Sequence, residues 1–148
     1  MSPRRLWRFL CKLTRWSAAD WLLLIEAVGV LALVRLGLWF LPFKRIGALT
    51  AKTTPRRRPG ASVMPADVSR AIQCGARIVP GASCLTQALA AEVLMRRRGH
   101  ACALRIGVAR DDGGPLRAHA WLESNGVAVV GGGLSDYTLL PEFESLRK

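Results

Sequence analysis

The stretch that decides the fold is SCLTQALAAEVLMRRRGHACALRIGVARDDGGPLRAHAWLESNGVAVV, residues 83–130. Its first part reads as a helix with both ends marked. Ser83 can cap it, which puts Cys84 in the first turn. Cys84, Ala88, Ala91 and Met95 fall on one stripe at helical spacing, so that face should be buried. Arg96, Arg97 and Arg98 occupy the last turn, where cations suit the helix dipole, and Gly99 supplies the stop. The period then changes to two. Cys102, Leu104, Ile106 and Val108 alternate with Ala103, Arg105 and Gly107, the pattern of a half-buried strand. After the turn Asp111-Asp112-Gly113-Gly114-Pro115, a second strand over 117–123 places His119, Trp121 and Glu123 on one face. Asn125-Gly126 is a strong hairpin signal, and residues 127–130 make a third strand. Gly131, Gly132 and Gly133 open an irregular tail. One helix followed by an antiparallel sheet, without repeats, is an α+β architecture.

Working outward, the rest of the chain divides in two. Residues 1–47 read as helical, with Pro42 ending the long apolar run. Residues 48–62 carry Thr, Pro and Gly around Arg56, Arg57 and Arg58 and read as a basic linker. A modest helix over 63–78 and the turn Val79-Pro80-Gly81-Ala82-Ser83 then lead into the core domain, residues 63–148. The apolar run at 21–41 approaches the roughly 20 residues a membrane span needs. Glu26 and Arg35 interrupt it, and no small-residue cleavage site follows, so a buried or amphipathic helix pair is the expected form. Trp7, Trp16 and Trp21 beside Arg4, Arg5, Arg8, Lys12 and Arg15 leave peripheral contact with anionic lipid open.

Composition bounds the chemistry. The chain has 148 residues, 22 Lys and Arg against 10 Asp and Glu, and a formal charge of +12, which favours an anionic partner. The basic clusters are not interleaved with aromatics in any nucleic-acid motif, so no nucleic-acid partner is expected. The 4 cysteines, at 11, 74, 84 and 102, include no C-x-x-C pair, and with only 2 histidines a metal site is not expected. Free thiols in a reducing cytoplasm are the default for a chain without a secretory signal.

A cysteine in the first turn of a helix is placed for nucleophilic work. Unsatisfied N–H groups and the positive dipole end favour thiolate, and the same groups can hold an oxyanion. His119 is the one imidazole inside a structured element. If the helix packs across the sheet, Cys84 and His119 can form a nucleophile and base pair. Each also has a plainer reading, since a first-turn cysteine is commonly packing and a strand histidine beside tryptophan is commonly a satisfied core group. Cys74 and Cys102 read as structural, and His100, after the Gly99 stop, as exposed and uncommitted.

The combination PGASCLTQALAAEVLMRRRGH, then AHAWLESNGVAVV, resembles the transglutaminase-like leader peptidases of lasso-peptide biosynthesis, as do the apolar N-terminal helices ending LPFKR. The resemblance covers nearly the whole chain. It implies a papain-like Cys–His–Asp enzyme that removes the leader from a ribosomally made precursor peptide, needs no cofactor, and works with a leader-recognition protein and a lasso cyclase. By matching positions, Cys84 takes the nucleophile role and His119 the base role. The family's aspartate belongs about where Gly131 and Gly132 stand. Three substitutes are open: Asp136 reaching back from the tail, which we favour; Glu123 on the face of His119; or a backbone carbonyl or water. The rival expectation is a non-catalytic scaffold of the same fold that binds precursor, cyclase or membrane. Acyl transfer by the same pair is a further alternative.

Overall fold

The structure, a computed structural model, describes residues 16–54, 63–110, 115–132 and 137–140. Asp136 and most of the expected linker lie outside them.

Helix α1, Ala18–Phe40, begins with a capping box in which the Ser17 hydroxyl accepts from the Asp20 N–H at 3.2 Å and the Asp20 carboxylate accepts from the Ser17 N–H at 2.9 Å. It stops because Leu41 precedes a proline and is held extended. Pro42 then caps α2, Phe43–Ala51. This helix extends past the start of the segment whose loop-like composition suggested a linker. The reason is tertiary: Thr50 turns inward, its hydroxyl 3.0 Å from both the Gly47 carbonyl and the Glu92 carboxylate. Helix α3, Pro65–Gly75, has proline at its first position, where a missing N–H is harmless. Helix α4, Cys84–Arg97, has the Ser83 cap expected of it.

The sheet is antiparallel with order β3-β2-β1-β4, where β1 is Ala103–Arg110, β2 Leu116–Ser124, β3 Val127–Val130 and β4 Thr138–Leu139. Asn125 and Gly126 both have positive φ, 51° and 75°, the backbone a two-residue hairpin with the right twist requires. The short β4 lies in the tail expected to be irregular. It forms because β1 has a free edge, where Leu139 pairs with Gly107.

Helix α4 is the centre of the molecule. Ala88, Leu89, Ala90, Ala91, Leu94 and Met95 are completely buried, with α1, α2 and α3 on one side and the sheet on the other. Leu104, Ala120, Leu122 and Val130 face it from the sheet. His100 differs from expectation: it is half-buried, its Nε2 2.9 Å from the Val63 carbonyl, so it ties the start of α3 to the end of α4. Residues 18–40 are long and apolar enough to cross a membrane, yet a third of that window is buried inside the fold. Glu26 within it is paired with Arg97 and Arg98 at 3.3 and 2.6 Å.

Candidate active site

Cys84 is the first residue of α4. Ser83 takes the Thr86 N–H at 3.3 Å, and the Gln87 side chain donates to the Ala82 carbonyl at 2.9 Å, bracing the loop that enters the helix. Among the described residues, the N–H groups of Cys84 and Leu85 have no protein acceptor. They are the orphan donors of a helix start, free to hold a developing negative charge beside the thiol. The Cys84 side chain is half-buried at the margin of the core and is not in a disulfide.

Gly99, at φ +78°, ends α4, and β1 begins at Ala103. Within the sheet, His119 pairs with Gly107 in the far half of β1.

His119 is part-buried. Its Nε2 lies 3.1 Å from the Gly131 carbonyl, and its ring lies 6.3 Å from Trp121, nearly parallel, and 5.3 Å from Tyr137. A carbonyl oxygen can only accept, so Nε2 is the donor in this hydrogen bond and Nδ1 is left to meet another group. Among the described residues Nδ1 has no hydrogen-bond partner, and no hydrogen bond joins His119 to Cys84. The strand alternation sends Ala120 and Leu122 into the core against α4 and His119, Trp121 and Glu123 to the other face. At His119, however, β2 has no β3 partner, because the last paired residue of β3 is Val130, opposite Leu122.

The remaining candidates separate. Glu123 accepts from the Trp121 indole at 2.9 Å and from Arg105 at 3.2 Å, and these bonds occupy its carboxylate. The indole hydrogen bond holds its pKa below the usual glutamate value against the opposing effect of burial. It has no bond to His119. Asp136 lies outside the described residues. Among the described residues, the group hydrogen-bonded to the imidazole is the Gly131 carbonyl. The glycine run carried that signal only in part, since a carbonyl is present at every residue and only the fold aims one. Tyr137 went unremarked in the sequence. Among the described residues, no group of three or more His, Cys, Asp or Glu could hold a metal ion.

A buried helix that begins with Cys84, laid on an antiparallel sheet whose second strand bears His119, gives an α+β architecture. Residues 28–142 match the family model of the transglutaminase-like superfamily, and the chain belongs to that superfamily, which includes cysteine peptidases. Comparison with curated proteins and with solved structures returns no match.

Proposed function

We propose that this protein is a cysteine peptidase that removes the leader from a ribosomally made precursor peptide in lasso-peptide maturation, with Cys84 as nucleophile and His119 as base. The observation that carries the reading is the pairing of free groups: unpartnered N–H donors at the Cys84 helix start, and an imidazole whose Nε2 is anchored while Nδ1 stays open. The leader-removal part rests on the resemblance of the CLTQAL and AHAWLE segments to that peptidase family.

In this mechanism Nδ1 of His119 takes the Cys84 thiol proton, the thiolate adds to the scissile carbonyl, and the Cys84 and Leu85 N–H groups hold the oxyanion. His119, protonated on Nδ1, gives that proton to the leaving amine. A water then loses its proton to Nδ1, attacks the acyl-enzyme and frees the thiol. The Gly131 carbonyl orients the ring in place of an aspartate. It carries no full charge, so it stabilises the imidazolium less, and turnover should be slow beside a complete triad. A leader-recognition protein and a cyclase are the partners this reading requires.

The second reading, a scaffold without catalysis, is favoured by the facing of His119 away from the core side of β2. One experiment separates the two. The pH dependence of iodoacetamide labelling should be followed by mass spectrometry in wild type and His119→Ala. Under the peptidase reading Cys84 labels rapidly below pH ~8.5, the ordinary thiol value, and the mutant loses this. Cys74, whose thiol is pushed up by burial, labels slowly in both and serves as the internal reference. Equal and slow labelling of Cys84 and Cys74 in both proteins would leave only the scaffold. Cleavage of a precursor peptide in the presence of its recognition protein, lost in Cys84→Ala, then tests the substrate.

A further inference from the structure

We propose that the outward face of α1 docks on an anionic lipid bilayer, lying in the plane of its surface, with Arg35 taking a lipid phosphate. Leu22, Ile25, Leu33, Leu36 and Phe40 lie along one side of α1 at helical spacing, with Gly29 in the gap between Ile25 and Leu33, and are 60, 66, 69, 49 and 80 % exposed. Trp21 and Trp39 flank the two ends of the stripe, 43 and 67 % exposed. A run of large apolar side chains along a whole helix is not the scattered exposure of ordinary surfaces, and it marks something that covers it. Tryptophans at the ends of such a face suit the headgroup boundary, where one edge of the ring is wet and the rest apolar.

Charge selects the occupant. Both acids of α1 are already engaged: Asp20 with Arg70 and Ser17, and Glu26 with Arg97 and Arg98. The stripe therefore shows no free carboxylate. Lys44 and Arg45 are exposed just beyond its end, and in the sequence Arg4, Arg5, Arg8, Lys12 and Arg15 precede its start.

Arg35 is the most telling. Its guanidinium lies over the Trp39 ring at 5.2 Å, and among the described residues its buried Nε has no partner. It edges an apolar groove of about 450 Å³ formed with Leu36, Trp39, Val79, Pro80 and Gly81. A half-buried guanidinium without an anion lacks the partner its donor fork fits, and a phosphate in the groove supplies one. A second copy of the chain pairing through the same face would instead bring two sets of cations together. Helix α1 cannot cross the bilayer while folded, because Glu26 and the core-facing Leu23, Ala27, Leu31 and Val34 belong to the domain. An apolar stripe between basic flanks is the form of an interfacial helix.

The test is co-sedimentation of the full chain with vesicles of phosphatidylcholine alone and of phosphatidylcholine containing phosphatidylglycerol. Wild type should bind the anionic vesicles roughly tenfold or more better, with the preference shrinking as salt rises. Leu33→Glu, at an exposed site, should abolish binding while circular dichroism and Cys84 labelling stay as in wild type. Arg35→Gln should cut the preference for anionic vesicles several-fold. Equal partitioning to the two vesicle types, no binding at all, wild-type binding by Leu33→Glu, or unchanged preference in Arg35→Gln would each overturn the proposal. A dimer in sedimentation equilibrium that Leu33→Glu dissociates, with no vesicle binding, would assign the face to a second copy instead. None of these outcomes bears on the Cys84–His119 pair, whose labelling is read separately.

Discussion

Gly131 has two duties that only glycine combines. Its φ is +86°, and a Cβ built there would lie 2.8 Å from the Trp121 Cβ and 2.9 Å from the Ala120 carbonyl oxygen. The left-handed conformation alone costs an ordinary residue about 1–2 kcal/mol. Relieving it would move the carbonyl away from His119. Gly131→Ala should therefore lower the melting temperature and slow Cys84 labelling toward the His119→Ala value. Gly132→Ala, with open space at its Cβ position, should do neither. Equal labelling in wild type and Gly131→Ala would remove the carbonyl from the mechanism. The glycine run after β3 was plain in the sequence, and so was His119 on one face with Trp121. That the Gly131 carbonyl meets the imidazole was not plain, because its direction depends on how the chain leaves β3.

Between elements, the ion pairs of Glu26 join the middle of α1 to the end of α4. Burial raises the Glu26 pKa, but the hydrogen bonds and charges of Arg98 and then Arg97 outweigh it and hold the carboxyl below its ordinary value. A carboxylate with a depressed folded pKa contributes stability above its unfolded value, about 4.3, and loses it as pH falls from there through the folded value. The contribution should thus be complete at pH 7 and gone in strong acid. Glu26→Gln should cost about 1 kcal/mol at neutral pH, a figure kept small by partial exposure, and the gap to wild type should close as pH drops below ~4. Urea melts at several pH values would read this directly, and a pH-independent gap would assign the loss to packing. Arg96, Arg97 and Arg98 were legible as a helix end, since their position relative to Gly99 is local. The acid partner of Arg97 and Arg98 was not, because Glu26 lies about seventy residues away in sequence.

At the scale of the molecule, α4 is enclosed by three helices and a sheet, and one charged residue sits inside that enclosure. Glu92 is completely buried, held by the Thr50 hydroxyl at 3.0 Å and by Arg96 Nε at 3.1 Å. The Arg96 side chain is 31 % exposed, so it is loss of Arg96 that leaves the buried Glu92 carboxylate without its cation, which typically costs about 3–5 kcal/mol. Arg96→Ala should reach that range in urea unfolding, whereas Thr50→Val should cost only about 1 kcal/mol, since the carboxylate keeps its arginine. If both lose the same amount, the hydroxyl rather than the ion pair closes the enclosure at α2. Nothing in the helical period singled out Glu92, for a lone acid among alanines and leucines reads equally well as a solvated position.

The sequence by itself determined the elements whose causes are local: the Ser83 cap and Gly99 stop of α4, the two-residue alternation of β1 and β2, the Asn125-Gly126 turn, and hence the α+β class. It also singled out Cys84 at the helix start and His119 on a strand face, since capping and pleating follow from neighbouring residues. Tertiary structure alone decided which face of β2 meets α4, that α2 continues through Thr50, that β4 completes the sheet, and that Gly131 presents its carbonyl to the imidazole. Each of these depends on contacts between segments far apart in the chain, which hydrophobic period and turn chemistry do not encode.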